Sequence, residues 1–156
     1  MATHPILVCM VWRGGDRFER ALRSIHASRH HFSRVVLSVT SEPDSVDMRL
    51  AQAAQTTDPS IEVICTGQEL PTMEHQEFWI DYLVTSGARP SDWVYWLAYD
   101  DEVRPRGIEA IASQDGSWPL QPGSAYFGPW AMRHEQPDRM WAGYQSEPLE
   151  SWTSFS

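Results

Sequence analysis

The chain has 156 residues, enough for one domain of ordinary size with a respectable core and too few for a second complete one. An apolar share of 42% with eight Trp excludes a disordered chain, since such chains are poor in aromatics and cannot offset ordering entropy by burial. A formal charge of −9, from 12 basic and 21 acidic residues, repels nucleic acid phosphates and anionic membranes, so nucleic acid is not expected as a partner.

Taken in chain order, Ile6 to Val11 is a short continuous apolar run, which predicts a strand buried on both faces. It is too short to span a bilayer and lacks the basic flank and cleavage pattern of a signal peptide. Cys9 and Cys65 lie inside apolar runs and form no disulfide framework, so no membrane span and a cytoplasmic location are expected. Gly14-Gly15-Asp16 breaks the strand, and Phe18, Ala21, Leu22 and Ile25 then recur at helical spacing to about His30, with Asp16 as N-cap. Arg13, Arg17, Arg20 and Arg23 share this stretch and are read as a solvated face.

Val35 to Val39 predicts a second strand. Ser41-Glu42-Pro43-Asp44-Ser45 supplies turn and cap chemistry before a helix with Val46, Leu50, Ala53 and Ala54 on one face, ended by Thr56-Thr57-Asp58-Pro59. Ile61 to Cys65 is a third strand. Pro71-Thr72 opens a helix carrying Met73, Phe78, Trp79, Tyr82 and Leu83, closed near Gly87. The fourth strand, within Trp93 to Ala98, runs into Tyr99-Asp100-Asp101-Glu102, and Pro105 to Ala112 predicts one more short helix.

Strands alternating with helices of this length predict an α/β fold, a mostly parallel sheet with helices on both faces and right-handed crossovers. Residues 1–112 form the α/β portion. Beyond Gly116 the pattern loosens, with one candidate strand at Ala125 to Trp130, and residues 113–156 read as the start of a second half of the same domain.

The acidic tip of the fourth strand is the feature with the most chemistry. In an open α/β sheet, ligands bind in the crevice beyond the carboxyl ends of the strands. Three consecutive carboxylates there repel one another unless a hard divalent ion, often sharing a substrate's phosphates, neutralises them. The competing reading is an acidic turn that caps the following helix.

Met10 to Ile25, Met-Val-Trp-Arg-Gly-Gly-Asp-Arg-Phe-Glu-Arg-Ala-Leu-Arg-Ser-Ile, resembles the first strand-loop-helix of family 2 glycosyltransferases, and Leu97 to Pro105 resembles that family's metal-binding segment. The resemblance spans roughly residues 5–112 and implies a Rossmann-like GT-A fold that holds a nucleotide-diphosphate sugar through a divalent cation. It assigns Asp100, Asp101 and Glu102 to Mn²⁺ or Mg²⁺. Trp12 and Arg13 would approach the base and a phosphate, with Tyr99 beside the metal segment. The family's base-reading Asp-Asp-Gly-Ser aligns with Val39-Thr40-Ser41-Glu42, which leaves Glu42 or Asp44 to substitute. His75 falls in the segment that lines the donor site, although a lone His at a helix start is more often on the surface.

The implied activity is transfer of a sugar from the donor to a hydroxyl of a carbohydrate or other acceptor, with inversion. Glu135, Asp138, Glu147 and Glu150 are candidates for the base, and none sits in a recognisable motif. The late aromatics Trp118, Tyr126, Phe127, Trp130, Trp141, Tyr144 and Trp152, and His134 beside Arg133, suit either a sugar surface or ordinary core. A sugar nucleotidyltransferase would need a Gly-rich loop, of which only Gly14-Gly15 is present. The non-enzyme alternative is a nucleotide-sugar-binding module or assembly partner.

Overall fold

Six consecutive apolar residues can all be satisfied only between two covering layers, and Ile6–Val11 (β1) accordingly lies in the middle of a sheet with every residue buried. The computed structural model describes residues 4–89, 92, 94–105, 125–126 and 154–155. Around β1 stand Arg34–Val39 (β2), Ile61–Cys65 (β3) and Val94–Ala98 (β4), all parallel, in the order β3-β2-β1-β4. The α/β architecture with a parallel sheet covered on both faces is as expected.

The helices Asp16–Ala27 (α1), Val46–Thr57 (α2) and Thr72–Thr85 (α3) are the crossovers. Residues of β1 alternate between two cores. Leu7, Cys9 and Val11 pack with Phe18, Ala21 and Ile25 of α1, Met48 and Ala51 of α2, and Leu97 of β4. Ile6, Val8 and Met10 pack on the opposite face with Val36 and with Trp79 and Leu83 of α3. Strand order explains this division. The chain moves outward from β1 to β3 in one direction, then crosses back to β4, and right-handed connections in opposite directions put their helices on opposite faces.

Three local expectations change. The N-cap of α1 is Gly15, at a φ of 49°, and Asp16 is the first helical residue with no side-chain capping bond. The buried face of α2 is turned to Asp47, Met48 and Ala51, with Leu50 and Ala54 partly covered, so that Val46 is 54% exposed and Ala53 also faces outward. Ser45 caps the helix through the Met48 amide at 3.1 Å, and Met48 and Ala51 pack into the core beside β1. Met73 stands at the surface of α3, and its place in the helix's buried row is taken by His75. That helix closes as expected, with Gly87 at a φ of 93° and the Ala88 amide returning to the Leu83 carbonyl at 2.9 Å.

The chain divides into two units, Met1–Trp118 and Pro119–Ser156. In the second, Ala125–Tyr126 (β5) pairs antiparallel with Ser154–Phe155 (β6). The helix expected over 105–112 falls outside the described residues beyond Pro105, as does the 125–130 strand beyond Tyr126. Among the described residues no helix is long and apolar enough to cross a membrane.

Candidate functional site

Because β1 has β2 on one side and β4 on the other, the chain leaves its carboxyl end in opposite directions, and a crevice opens there of the kind where open α/β sheets take ligands. The loop after β1 and the turn after β4 meet at that point. A Cβ on Gly14 would lie 2.6 Å from the Cβ of Phe18 and 3.3 Å from the Tyr99 ring, so only glycine allows the first turn of α1 and Tyr99 to close on the loop. Tyr99 is thus half-buried against the β1 loop and helps to seat it.

Beyond Tyr99 come the acids. The Asp101 amide closes a turn on the Ala98 carbonyl at 3.0 Å, and Val103 is buried against the α1 side with its amide on Ser24 Oγ at 2.9 Å. These two anchors fix the ends of the acidic segment. Asp100 and Asp101 are surface residues, and among the described residues neither forms an ion pair. Surrounding protein and then the Asp100 charge push the Asp101 carboxyl above its ordinary range, against a smaller opposite pull from the Ala98 backbone. Cys9 lies beneath them in the core, and burial first, then both aspartates, hold its thiol far above the usual range. Glu102 is half-buried.

Among the described residues no three His, Cys, Asp or Glu side chains converge as a metal cage. The donor set nevertheless suits a hard cation bound in the manner of Mg²⁺, which commonly takes one or two carboxylates and completes its shell with waters and a substrate's phosphates.

On the other side of β1 a cavity of about 330 Å³ is lined by Arg13, Gly15, Thr40, Ser41, Ser45, Val46, Asp47 and Glu69. Its size is at the lower end for small-molecule clefts. Asp47, only 5% exposed, accepts from the Gly14 and Gly15 amides at 2.9 and 3.0 Å. Thr40 Oγ1 accepts from the Leu70 amide at 2.7 Å. Ser41 Oγ and Ser45 Oγ bond each other at 2.7 Å. At the rim, Arg13 Nε and Nη2 donate to Glu69 Oε1 and Oε2 at 2.7 and 3.0 Å, with the guanidinium 5.4 Å from the centre of the Trp12 ring. Arg13 holds a φ of 49°, left-handed and uncommon outside glycine. The Glu69 carboxyl is held below its ordinary range first by the Arg13 hydrogen bonds and also by Trp12.

Of the residues singled out in the sequence, Arg13 lines this cavity with the Trp12 ring beside its guanidinium, and Tyr99, Asp100 and Asp101 follow β4 at its carboxyl end. Glu42 and Asp44 are exposed on the β2–α2 loop and do not line the cavity. His75 is in the core rather than on the surface. It is 2% exposed with Nε2 at 2.8 Å from Ser38 Oγ, and burial lowers its basicity. The base candidates Glu135, Asp138, Glu147 and Glu150, His134 with Arg133, and the late aromatics other than the backbone of Tyr126 fall outside the described residues.

Sequence reasoning missed Asp47 and Glu69. Nothing near Asp47 distinguishes it from a first-turn acid, but Glu69 is a carboxylate just past the end of a parallel strand and was findable on that ground. No protein-family model, curated protein or solved structure matches the chain.

Proposed function

We propose that the protein is a metal-dependent glycosyltransferase that takes a nucleotide-diphosphate sugar as donor and a carbohydrate or other hydroxyl as acceptor. The observation that carries this reading is the pair Asp100 and Asp101 at the carboxyl end of β4, without an ion-pair partner among the described residues, across the crevice from a nucleoside-sized cavity. The sequence resemblance to family 2 glycosyltransferases supports it, since the family's metal segment and first loop map onto these two sides.

In this reading Asp100 and Asp101 would hold Mn²⁺ or Mg²⁺, which when bound supplies Lewis-acid stabilisation of the leaving diphosphate. Glu102, half-buried beside them, would be a third ligand or would support the pair from behind. Trp12 is an exposed ring beside Arg13 that could stack on the base, and Arg13 offers a guanidinium suited to a phosphate. Tyr99 and Gly14 hold the two loops in register, so the cation side and the nucleoside side keep a fixed separation.

Titration calorimetry with UDP, GDP and dTDP, each with and without Mn²⁺, tests the reading. Binding that depends on the metal is expected, with loss of that dependence in Asp100→Ala at unchanged circular dichroism. Metal-independent binding, or full binding in the variant, removes the assignment. The exposed position of Glu42 and Asp44, which leaves the end of β2 without a base-reading carboxylate, favours a second reading, a binding module without transfer. Slow hydrolysis of a bound sugar nucleotide, or transfer from it, separates the enzyme from the module.

A further inference from the structure

Most polar side chains around the cavity are already committed to the protein. Asp47 serves the two glycine amides, Thr40 serves Leu70, and Ser45 caps α2 while bonding Ser41. Breaking the Asp47, Thr40 or Ser45 bonds to backbone would leave a buried or partly buried amide without its acceptor. The rim pair is different. The Arg13 and Glu69 side chains are 68% and 48% exposed, so water can replace either partner and the pair is held weakly. It is therefore the polar contact of the cavity most cheaply exchanged for a ligand.

The two halves of the pair also differ in what they accept. A guanidinium matches a phosphate with parallel N–H bonds, whereas a carboxylate takes N–H or O–H donors and repels phosphate. An anion alone would win Arg13 and leave Glu69 as an uncompensated charge beside it. A neutral nucleoside alone would win Glu69 and leave Arg13 without its partner. A molecule that carries both a phosphate and a donor group compensates both at once.

We propose that the Arg13–Glu69 pair is a latch that a nucleoside diphosphate opens by exchange. Arg13 passes to a phosphate oxygen, and the released Glu69 carboxylate accepts an N–H or O–H of the nucleoside. Glu69 thereby supplies, from the end of β3, the nucleoside-reading carboxylate that the end of β2 does not present to the cavity. Trp12 is coupled to the exchange, because its ring lies under the Arg13 guanidinium. The inference rests on the reading of this crevice as a nucleotide site.

The test is calorimetry at fixed Mg²⁺ with UDP, GDP, their nucleosides and inorganic pyrophosphate, on the unaltered protein, Glu69→Gln and Arg13→Gln. Glu69→Gln is expected to bind the nucleoside diphosphate about tenfold more weakly, the order of one charge-assisted hydrogen bond. The same variant is expected to bind pyrophosphate more tightly, since the competitor for Arg13 has lost its charge. Arg13→Gln should weaken both. If Glu69→Gln binds the diphosphate equally or more tightly, Glu69 only competes for Arg13 and the exchange is overturned. If the unaltered protein binds neither UDP nor GDP, the nucleotide reading itself fails, and the latch with it. Both substitutions are at the surface, and circular dichroism checks that the fold is kept.

Discussion

The two sides of the crevice treat their carboxylates in opposite ways. On the β2 and β3 side, Asp47 is buried and holds two backbone amides of the β1 loop, so its charge is part of the scaffold. On the β4 side, Asp100 and Asp101 stand next to each other at the surface, and burial first and then the Asp100 charge push the Asp101 carboxyl above its ordinary range. The difference teaches how to separate an acid that holds the scaffold from one that does not. A carboxylate that satisfies backbone donors stabilises the loop, whereas one that meets another carboxylate leaves an electrostatic cost for a ligand to relieve.

Removing Asp47 should break the contrast most severely. Asp47→Ala leaves two amides without their acceptor and is expected to cost about 3 kcal/mol in urea unfolding, from the range for hydrogen bonds to charged groups. Asp47→Asn, which keeps one acceptor oxygen, should lose less. If Asp47→Ala is as stable as the unaltered protein, the carboxylate does not hold the loop. Next comes the seam between the two sides. Gly14→Ala forces a methyl to 2.6 Å from the Phe18 Cβ, which cannot swing away, and is expected to cost about 1–3 kcal/mol as overpacking does. Loss of metal-dependent nucleotide binding in the same variant would show that the seam sets the separation of the two sides.

A third measurement concerns the layer beneath. Burial depresses the basicity of His75, so the unfolded chain takes up its proton first as the pH falls. The contribution is fully present above the unfolded value of about 6.5 and is lost as the pH drops from there toward the depressed folded value. Unfolding free energy should therefore decline between neutral pH and pH 5, and His75→Gln should flatten that slope. An unchanged slope would remove the burial argument. The smallest effect has the opposite sign to the first. Asp100→Ala should raise stability by a few tenths of a kcal/mol, the scale of surface charge interactions, because it removes repulsion without removing a bond. A destabilisation approaching that of Asp47→Ala would erase the distinction between the two sides.

Much of the fold was legible in the chain because it rests on repeating patterns. The run Ile6–Val11 is apolar at every position, which marks a doubly covered strand, and alternation with amphipathic helices marks a parallel sheet. The acidic end of β4 was legible for the same reason, as an abrupt departure from an apolar run. His75, Asp47 and the phase of α2 were not. Each depends on what approaches from another element: Ser38 from β2, the amides of the β1 loop, and the core residues against which Met48 and Ala51 pack.

The sequence by itself determined the order of strands and helices, the buried central strand and the place of the acids at a strand end, since these follow from local periodicity and chain direction. Only the tertiary structure decided which carboxylate is scaffold and which stays exposed, and that Glu69 meets Arg13 across a separation of 56 residues. Hydrogen bonds and charge act over a few ångströms in space, and spacing along the chain carries no information about which distant groups the crossovers bring within that reach.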